Sequence, residues 1–172
     1  MFQKLLVGYS GSKSARAALE RAAVMARDYQ AQITALWVRP RSPHHSDLPG
    51  EFEEQEEASS EHFKELSAQI KAVAEKHGID IHCVCRTGHP AKTVVQFAEE
   101  DGHDLIIVGH SGHSELWGRL LGDTADRVAD HAHCSVLIIK QQEGSETCST
   151  NPTRRLSVER CQTPGRIRAK VR

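Results

Sequence analysis

The sequence lacks an apolar run of about 18 residues, the length that a helix needs to cross a bilayer. It therefore predicts no transmembrane helix. An apolar leader is missing too, because Met1 to Lys4 lead directly into a predicted strand, and we expect no signal peptide. These absences favour a soluble, cytoplasmic protein.

The sequence also has no large excess of positive or negative charge. Lys and Arg number 22 and Asp and Glu number 23, so the net charge is −1, and no stable nucleic-acid role is expected. The charge is unevenly distributed, however. Seven basic and two acidic side chains give residues 144–172 a charge of +5, which leaves −6 for residues 1–143. This contrast predicts a folded domain over 1–142 and a basic, disordered tail over 143–172.

The sequence has no cysteines at the spacing of a metal knuckle, and its number of cysteines is odd. The five cysteines, Cys83, Cys85, Cys134, Cys148 and Cys161, are typical of a reducing compartment. Cys83 and Cys85 alternate with polar residues in a predicted strand. We interpret them as small buried hydrophobic residues rather than a redox pair.

Five short apolar segments alternate with four segments of helical periodicity. Right-handed crossovers between such strands require an open parallel sheet with helices on both faces, an α/β fold. Ligands bind such sheets beyond the carboxyl ends of the strands. The predicted strands are 4–9, 32–38, 80–86, 105–108 and 134–140, and the predicted helices are 15–28, 51–77, 91–100 and 124–133.

Three glycines follow the buried fourth strand and precede the last helix. Gly109 and Gly112 are separated by two residues, nine more precede Gly122, and Asp123 and Thr124 come next. Such glycines let the backbone approach a ligand, and their N–H groups, with a helix N-terminus, can hold an anion. They can equally be turn residues, and the spacing alone leaves both interpretations open.

Other motifs support weaker hypotheses. Ser10 to Ser14 faintly resembles the loop of ATP pyrophosphatases, but a glycine and an aspartate of that motif are missing. The segment 154–158 matches a short basophilic kinase site of a kind that often arises by chance. Histidines at a helix end cap carbonyls more often than they bind zinc. A zinc site is conceivable from His110, His113, His131, His133 and Cys134.

The glycine pattern and its surroundings resemble the universal stress protein family, whose ATP-binding members carry a Gly-x2-Gly-x9-Gly-Ser/Thr loop. The similarity extends over residues 1 to about 141. It implies an adenine nucleotide α-hydrolase-like sheet with strand order 3-2-1-4-5 and a homodimer formed through the last strand, Val136–Ile139. The matching residues are Lys4-Leu5-Leu6-Val7, Gly11-Ser12, Gly88-x-Pro90, Val108-Gly109 and Gly122-x-x-Ala125-x-Arg127-Val128-x-x-His131-Ala132-x-Cys134-x-Val136-Leu137.

The resemblance also implies an ATP site. Gly8 and Ser10 would follow the first strand, and Val38 would lie near the adenine. Val108, Gly109 and Gly112 would line the nucleotide. Gly122, Asp123 and Thr124 would surround the phosphates.

Two positions depart from the family pattern. Ser10 stands where the family usually has an aspartate, and Asp123 stands where it has Ser or Thr. A carboxylate among phosphate-binding N–H groups repels the ligand unless a cation such as Mg²⁺ bridges the two, although Thr124 could supply the missing hydroxyl.

Three functions are therefore compared. The first is a dimeric stress-response or signalling protein that binds ATP and acts on an unknown protein partner. The second is a slow ATPase, for which no general base stands out, although His110 and His113 lie in the loop. The third is a partner-binding stress protein with a degenerate site, which Ser10 and Asp123 favour.

Overall fold

The structure is a computed structural model that describes residues 1–40, 49–110 and 123–140, with side chains described from Glu57 onward in the second helix and from Thr124 onward in the fourth. All of these residues belong to the unit Met1–Gln141, and the predicted tail lies outside them. No helix in these ranges is long and apolar enough to cross a membrane. The elements are β1 (Lys4–Gly8), α1 (Lys13–Tyr29), β2 (Gln32–Arg39), α2 (Pro49–His77), β3 (His82–Thr87), α3 (Pro90–Glu100), β4 (Leu105–Gly109), α4 (Asp123–His131) and β5 (Ser135–Ile139).

The strands form one parallel sheet in the order β3-β2-β1-β4-β5, which confirms the predicted fold. β1 lies at the centre, and its last residue, Gly8, is in register with Leu36 of β2 and Val108 of β4. The strand order reverses between β1 and β4. A parallel sheet offers a ligand crevice at such a reversal, at the carboxyl ends of the strands.

Helices cover both faces of the sheet. One apolar core lies beneath α1 and α2 and includes Leu5, Val7 and Ile107, whereas the other lies beneath α3 and α4 and includes Leu6 and Ile106. This division follows from the strands, because successive side chains point to opposite faces. Cys83 and Cys85 are half-buried against the first core, and burial raises the pKa of both thiols, as expected of residues that pack rather than react.

Helix α1 faces the sheet almost entirely with small side chains. Ser12 caps its N-terminus by accepting a hydrogen bond of 3.2 Å from the Ala15 amide. Leu19 is its one large side chain that is fully buried. The helix backbone can approach the strands closely because the other buried apolar residues are Ala15, Ala18, Ala22, Ala23 and Ala26.

Helices α1, α2 and α3 end at the amino edge of the sheet in the same way. Each helix is followed by a residue with positive φ. The amide of that residue and the amide of the next residue donate to carbonyls in the last turn of the helix, which is the Schellman arrangement. Gly78 and Gly102 have φ of 64° and 67°, whereas α1 uses Gln30 at φ 55°. The amides of Ala31, Ile79 and His103 bond to carbonyls five residues back.

Most element boundaries differ from the predicted ones by one or two residues, and the start of β3 and the end of α4 have identifiable causes. β3 begins at His82 rather than at residue 80, because the cap after α2 uses Gly78 and Ile79 before the chain can enter the sheet. α4 ends at His131 rather than at residue 133. Its ring Nδ1 lies 2.9 Å from the Arg127 carbonyl, so His131 caps the last turn as predicted.

His103 occupies the position after Gly102 at which this cap usually places an apolar residue. Its ring packs on Phe97, with the centroids 5.6 Å apart, and its side chain is almost fully buried. Nδ1 is buried and has no hydrogen-bond partner among the described residues, and Nε2 lies 3.7 Å from Asp101. Burial lowers the pKa of His103, the Lys4 charge lowers it further, and Asp101 and Asp104 oppose the shift.

The stability of the protein should therefore depend on pH through His103. Because its pKa in the folded protein lies below the usual 6.5, the unfolded chain binds the proton more tightly, and stability falls as the pH drops below about 6.5. The slope for one proton is at most about 1.4 kcal/mol per pH unit. Urea unfolding at several pH values between 5 and 7.5 should show a shallower decline for His103→Leu than for the parent chain. Equal slopes would contradict this assignment.

Candidate functional site

The carboxyl edge of the sheet brings together residues from three strand ends. Gly8 of β1 pairs with Val108 of β4, and Gly109 is the next residue on β4. On the other side of β1, the Tyr9 amide donates to the Leu36 carbonyl at 2.9 Å, two residues before Val38. Gly8, Val38, Val108 and Gly109 thus lie along the carboxyl edge of the sheet, and the reversal of strand order lies between Gly8 and Val108.

Gly109 lies directly against the first turn of α1. A Cβ atom at this position would lie 2.4 Å from the Ser14 carbonyl carbon and 2.7 Å from the Ala15 nitrogen. These are backbone atoms, which cannot move aside cheaply. The absence of a side chain at Gly109 thus brings the N-terminus of α1 against the end of β4.

Gly8 and the two valines face the opposite side of the sheet. A Cβ atom on Gly8 would meet the Val108 side chain at 3.2 Å, and Val38 packs against the same core beneath α3 and α4. Val108 is only 4% exposed. Its side chain therefore belongs to the core, and only its backbone can face a ligand at the edge.

Three hydroxyls connect the turn after β1 to α1. The Ser10 hydroxyl donates to Ser12 at 3.2 Å, and the Ser12 and Ser14 hydroxyls lie 3.2 Å apart. Ser12 also accepts the Ala15 amide, so this row is part of the helix cap. Ser10 and Ser12 are exposed, whereas Ser14 is buried. The predicted site residue Ser10 therefore lies at the edge, with its hydroxyl bonded within the turn.

Two residues that were not predicted as site residues, Tyr9 and Gly11, pack this turn against α2. The buried Tyr9 donates from its hydroxyl to Gln69 of α2 at 2.8 Å, and burial raises the pKa of Tyr9 against the opposing charge of Arg16. Gly11 has φ of 76°, and a Cβ atom there would lie 2.6 Å from the Leu66 side chain. The position of Gly11 between two serines is the signal that could have indicated this tight turn.

The remaining predicted site residues are only partly described. Asp123 begins α4 and is followed by the exposed Thr124. Gly112 and Gly122 lie outside the described residues. The same holds for His113, one of the possible zinc ligands. Across the part of the chain that is described, no three His, Cys, Asp or Glu side chains converge to hold a metal ion.

A second cleft, of about 590 Å³, opens at the amino edge of the sheet between the ends of α1 and α2. Lys4, Gln30, Thr34, Asp80 and His82 are among its lining residues. It lies at the edge opposite Gly8 and Gly109. Since ligands of parallel sheets bind at the carboxyl edge, the candidate site remains the one formed by the strand ends there.

The sequence profile described as "Universal stress protein family" matches residues 1–140. The chain belongs to the universal stress protein family. A universal stress protein of Methanocaldococcus jannaschii is 34% identical to it over 143 residues, which cover 82% of this chain and 84% of that relative. The family resemblance inferred from the glycine pattern is thereby confirmed.

Solved structures of universal stress proteins have the same fold. UspA from Lactobacillus plantarum superposes with a TM-score of 0.71 at 29% identity, over 80% of this chain and 97% of that one. A universal stress protein solved in complex with cAMP gives a TM-score of 0.60 at 28% identity, over the same 80% of this chain and 97% of its own length.

Proposed function

We propose that this universal stress protein binds ATP at the carboxyl edge of the sheet and acts as a dimeric stress-response factor in the cytoplasm. The observation that carries the proposal is the close packing of Gly109 against the capped N-terminus of α1, beside Gly8 at the reversal of strand order between β1 and β4. This packing places the N-terminus of α1 at the carboxyl edge of the sheet, and a helix N-terminus attracts anionic groups.

The relatives support an adenine nucleotide as the ligand. One structural neighbour of this chain is described as a universal stress protein in complex with cAMP. In the proposed complex, Val38 lies near the adenine and Gly109 and Gly112 contact the nucleotide through their backbone. Gly122, Asp123 and Thr124 surround the phosphates. Asp123 fits this arrangement if a cation such as Mg²⁺ lies between its carboxylate and the phosphates.

The proposed dimer forms through β5. This strand is an edge of the sheet, and it is almost wholly apolar from Val136 to Ile139. Its side chains are half-buried, because Leu137 and Ile139 pack toward one core and Val136 and Ile138 toward the other. No other described strand pairs with the outer edge of β5, so a second copy could pair there, and an apolar edge that is left unpaired invites aggregation.

Calorimetric titration with ATP, with and without Mg²⁺, tests the nucleotide site. We expect micromolar binding by the parent chain and none by Gly122→Val, whose side chain would occupy the cradle. Binding that requires Mg²⁺ in the parent and loses that requirement in Asp123→Ser would assign Asp123 the bridging role.

Light scattering and circular dichroism on the same samples establish that each variant is a folded dimer. If the folded parent dimer gives no heat up to millimolar ATP, the proposal fails. Parallel titrations with AMP and cAMP show whether the site requires the triphosphate.

A stress protein that binds a protein partner without nucleotide is the second candidate. The observation in its favour is the engagement of Ser10, whose hydroxyl bonds to the Ser12 hydroxyl that caps α1. Ser10→Asp distinguishes the two candidates. Restored or tightened ATP binding in this variant would indicate that the turn still accommodates a nucleotide, whereas no binding in either form would favour the degenerate site.

A further inference from the structure

A groove between α3 and α4 has features of a ligand site and shares no lining residue with the candidate nucleotide site. Its volume is about 580 Å³, within the range of small-molecule sites. The buried Ala91 and Val95 contribute apolar surface to the groove, and Lys92 and Arg127 line it from the two helices.

Positive charge predominates along this α3–α4 groove. Lys92 and Arg127 are exposed, and no carboxylate of the described residues lies within ion-pair distance of either. Glu99 is the one acidic lining residue, and it lies 3.4 Å from the His133 ring. Asp126 and Asp130 also belong to α4 but do not line the groove.

Arg127 contacts His89, and both line the groove. Arg127 Nη1 lies 3.4 Å from His89 Nε2, and a guanidinium can only donate, so Nε2 is the acceptor in this contact. A neutral contact of this length is weak. An anion in the groove would offer Arg127 a stronger, charge-assisted acceptor.

Three imidazoles also line the groove. His89 lies at the start of α3, His131 at the end of α4 and His133 in the turn before β5. Counted with the imidazoles neutral, Lys92, Arg127 and Glu99 give the groove a formal charge of +1.

We propose that the α3–α4 groove binds a small phosphorylated anion. The charge of the chain favours a small ligand. Residues 1–143 carry −6, so an extended polyanion would be repelled by the domain as a whole, whereas a small anion meets only the groove. This inference is independent of nucleotide binding at the strand ends.

An amide NMR titration of the full chain with tripolyphosphate, at about pH 6, tests the proposal. We expect saturable shifts confined to α3, α4 and the turn at His133. Arg127→Gln and Lys92→Gln should each weaken binding about tenfold, because each removes a charge-assisted contact. Lys64→Gln, an exposed lysine on α2, is the matched control.

The same titration on Gly122→Val separates the two sites. Binding at the α3–α4 groove should be unchanged in this variant, whether or not nucleotide binding is lost. Shifts confined to the strand ends around Gly8 and Gly109 would overturn the proposal. An equal loss in Lys64→Gln, or no saturable binding at pH 6, would overturn it as well.

Discussion

Gly109→Ala should lower the free energy of unfolding by about 1–3 kcal/mol, although it adds only one methyl group. The added Cβ would overlap the Ser14 carbonyl and the Ala15 amide at 2.4 to 2.7 Å, and these atoms belong to the first turn of α1. Relief requires α1 to move away from β4. Because that turn also borders the candidate site, we expect nucleotide affinity to fall with stability.

Gly8→Ala is the matched control for this change. It also lies at a strand end, but its Cβ would meet side chains alone, Val108 at 3.2 Å and Val94 at 3.8 Å, and a side chain can shift slightly. Its effect should lie within about 1 kcal/mol, since alanine also reduces the entropy of the unfolded chain. Urea unfolding of the two variants provides the comparison, and equal stabilities would show that α1 is not packed against Gly109 as described.

Leu66→Ala should have a larger effect on stability, a loss of about 2–5 kcal/mol. Leu66 is 1% exposed and, with Ile70, is one of two side chains in the buried part of the core among those described for α2. Removing it leaves a cavity beneath the turn at Gly11. The cost depends on how far α2 can collapse into that space, which explains the width of the expected range.

Thermal and urea unfolding measure this loss, with Lys64→Ala as the control on the exposed face of the same helix. The control should change stability by less than about 0.5 kcal/mol, because lysine and alanine both favour helix. A loss below about 1 kcal/mol for Leu66→Ala would mean that α2 is attached mainly through its other contacts. These include the stacking of Phe63 on Trp37, with centroids 5.8 Å apart.

The sequence was sufficient to predict the fold because each strand and helix has a strong local pattern. Leu105 to Val108 is a continuous apolar run, and the structure buries it on both faces, as such runs predict. Gly78 and Gly102 lie just after two of the predicted helices, and both have the positive φ that ends a helix. Right-handed crossovers then left few possible sheets.

The candidate site was less accessible to sequence reasoning, because its contacts join distant residues. The pattern around Gly109 suggested close approach of a ligand, but it could not reveal that the backbone of α1, some 95 residues earlier, occupies one side of that glycine. Arg127 and His89 are 38 positions apart, so no local motif indicated their contact. The burial of His103 was not predicted, because a histidine after a helix-ending glycine is typical of a polar loop.

The buried face of α1, which consists mostly of alanines, limits which substitutions the fold tolerates. Ala18 and Ala22 are completely buried against the strands, so the distance between helix and sheet is set by backbone contact rather than by interlocking side chains. Any longer side chain there must push the helix outward as a rigid body, and with it the turn that begins at Ser10. Sequence drift along α1 is thus confined to its outer surface, whereas α3, which packs with Val94, Val95 and Phe97, can exchange one large side chain for another of similar volume.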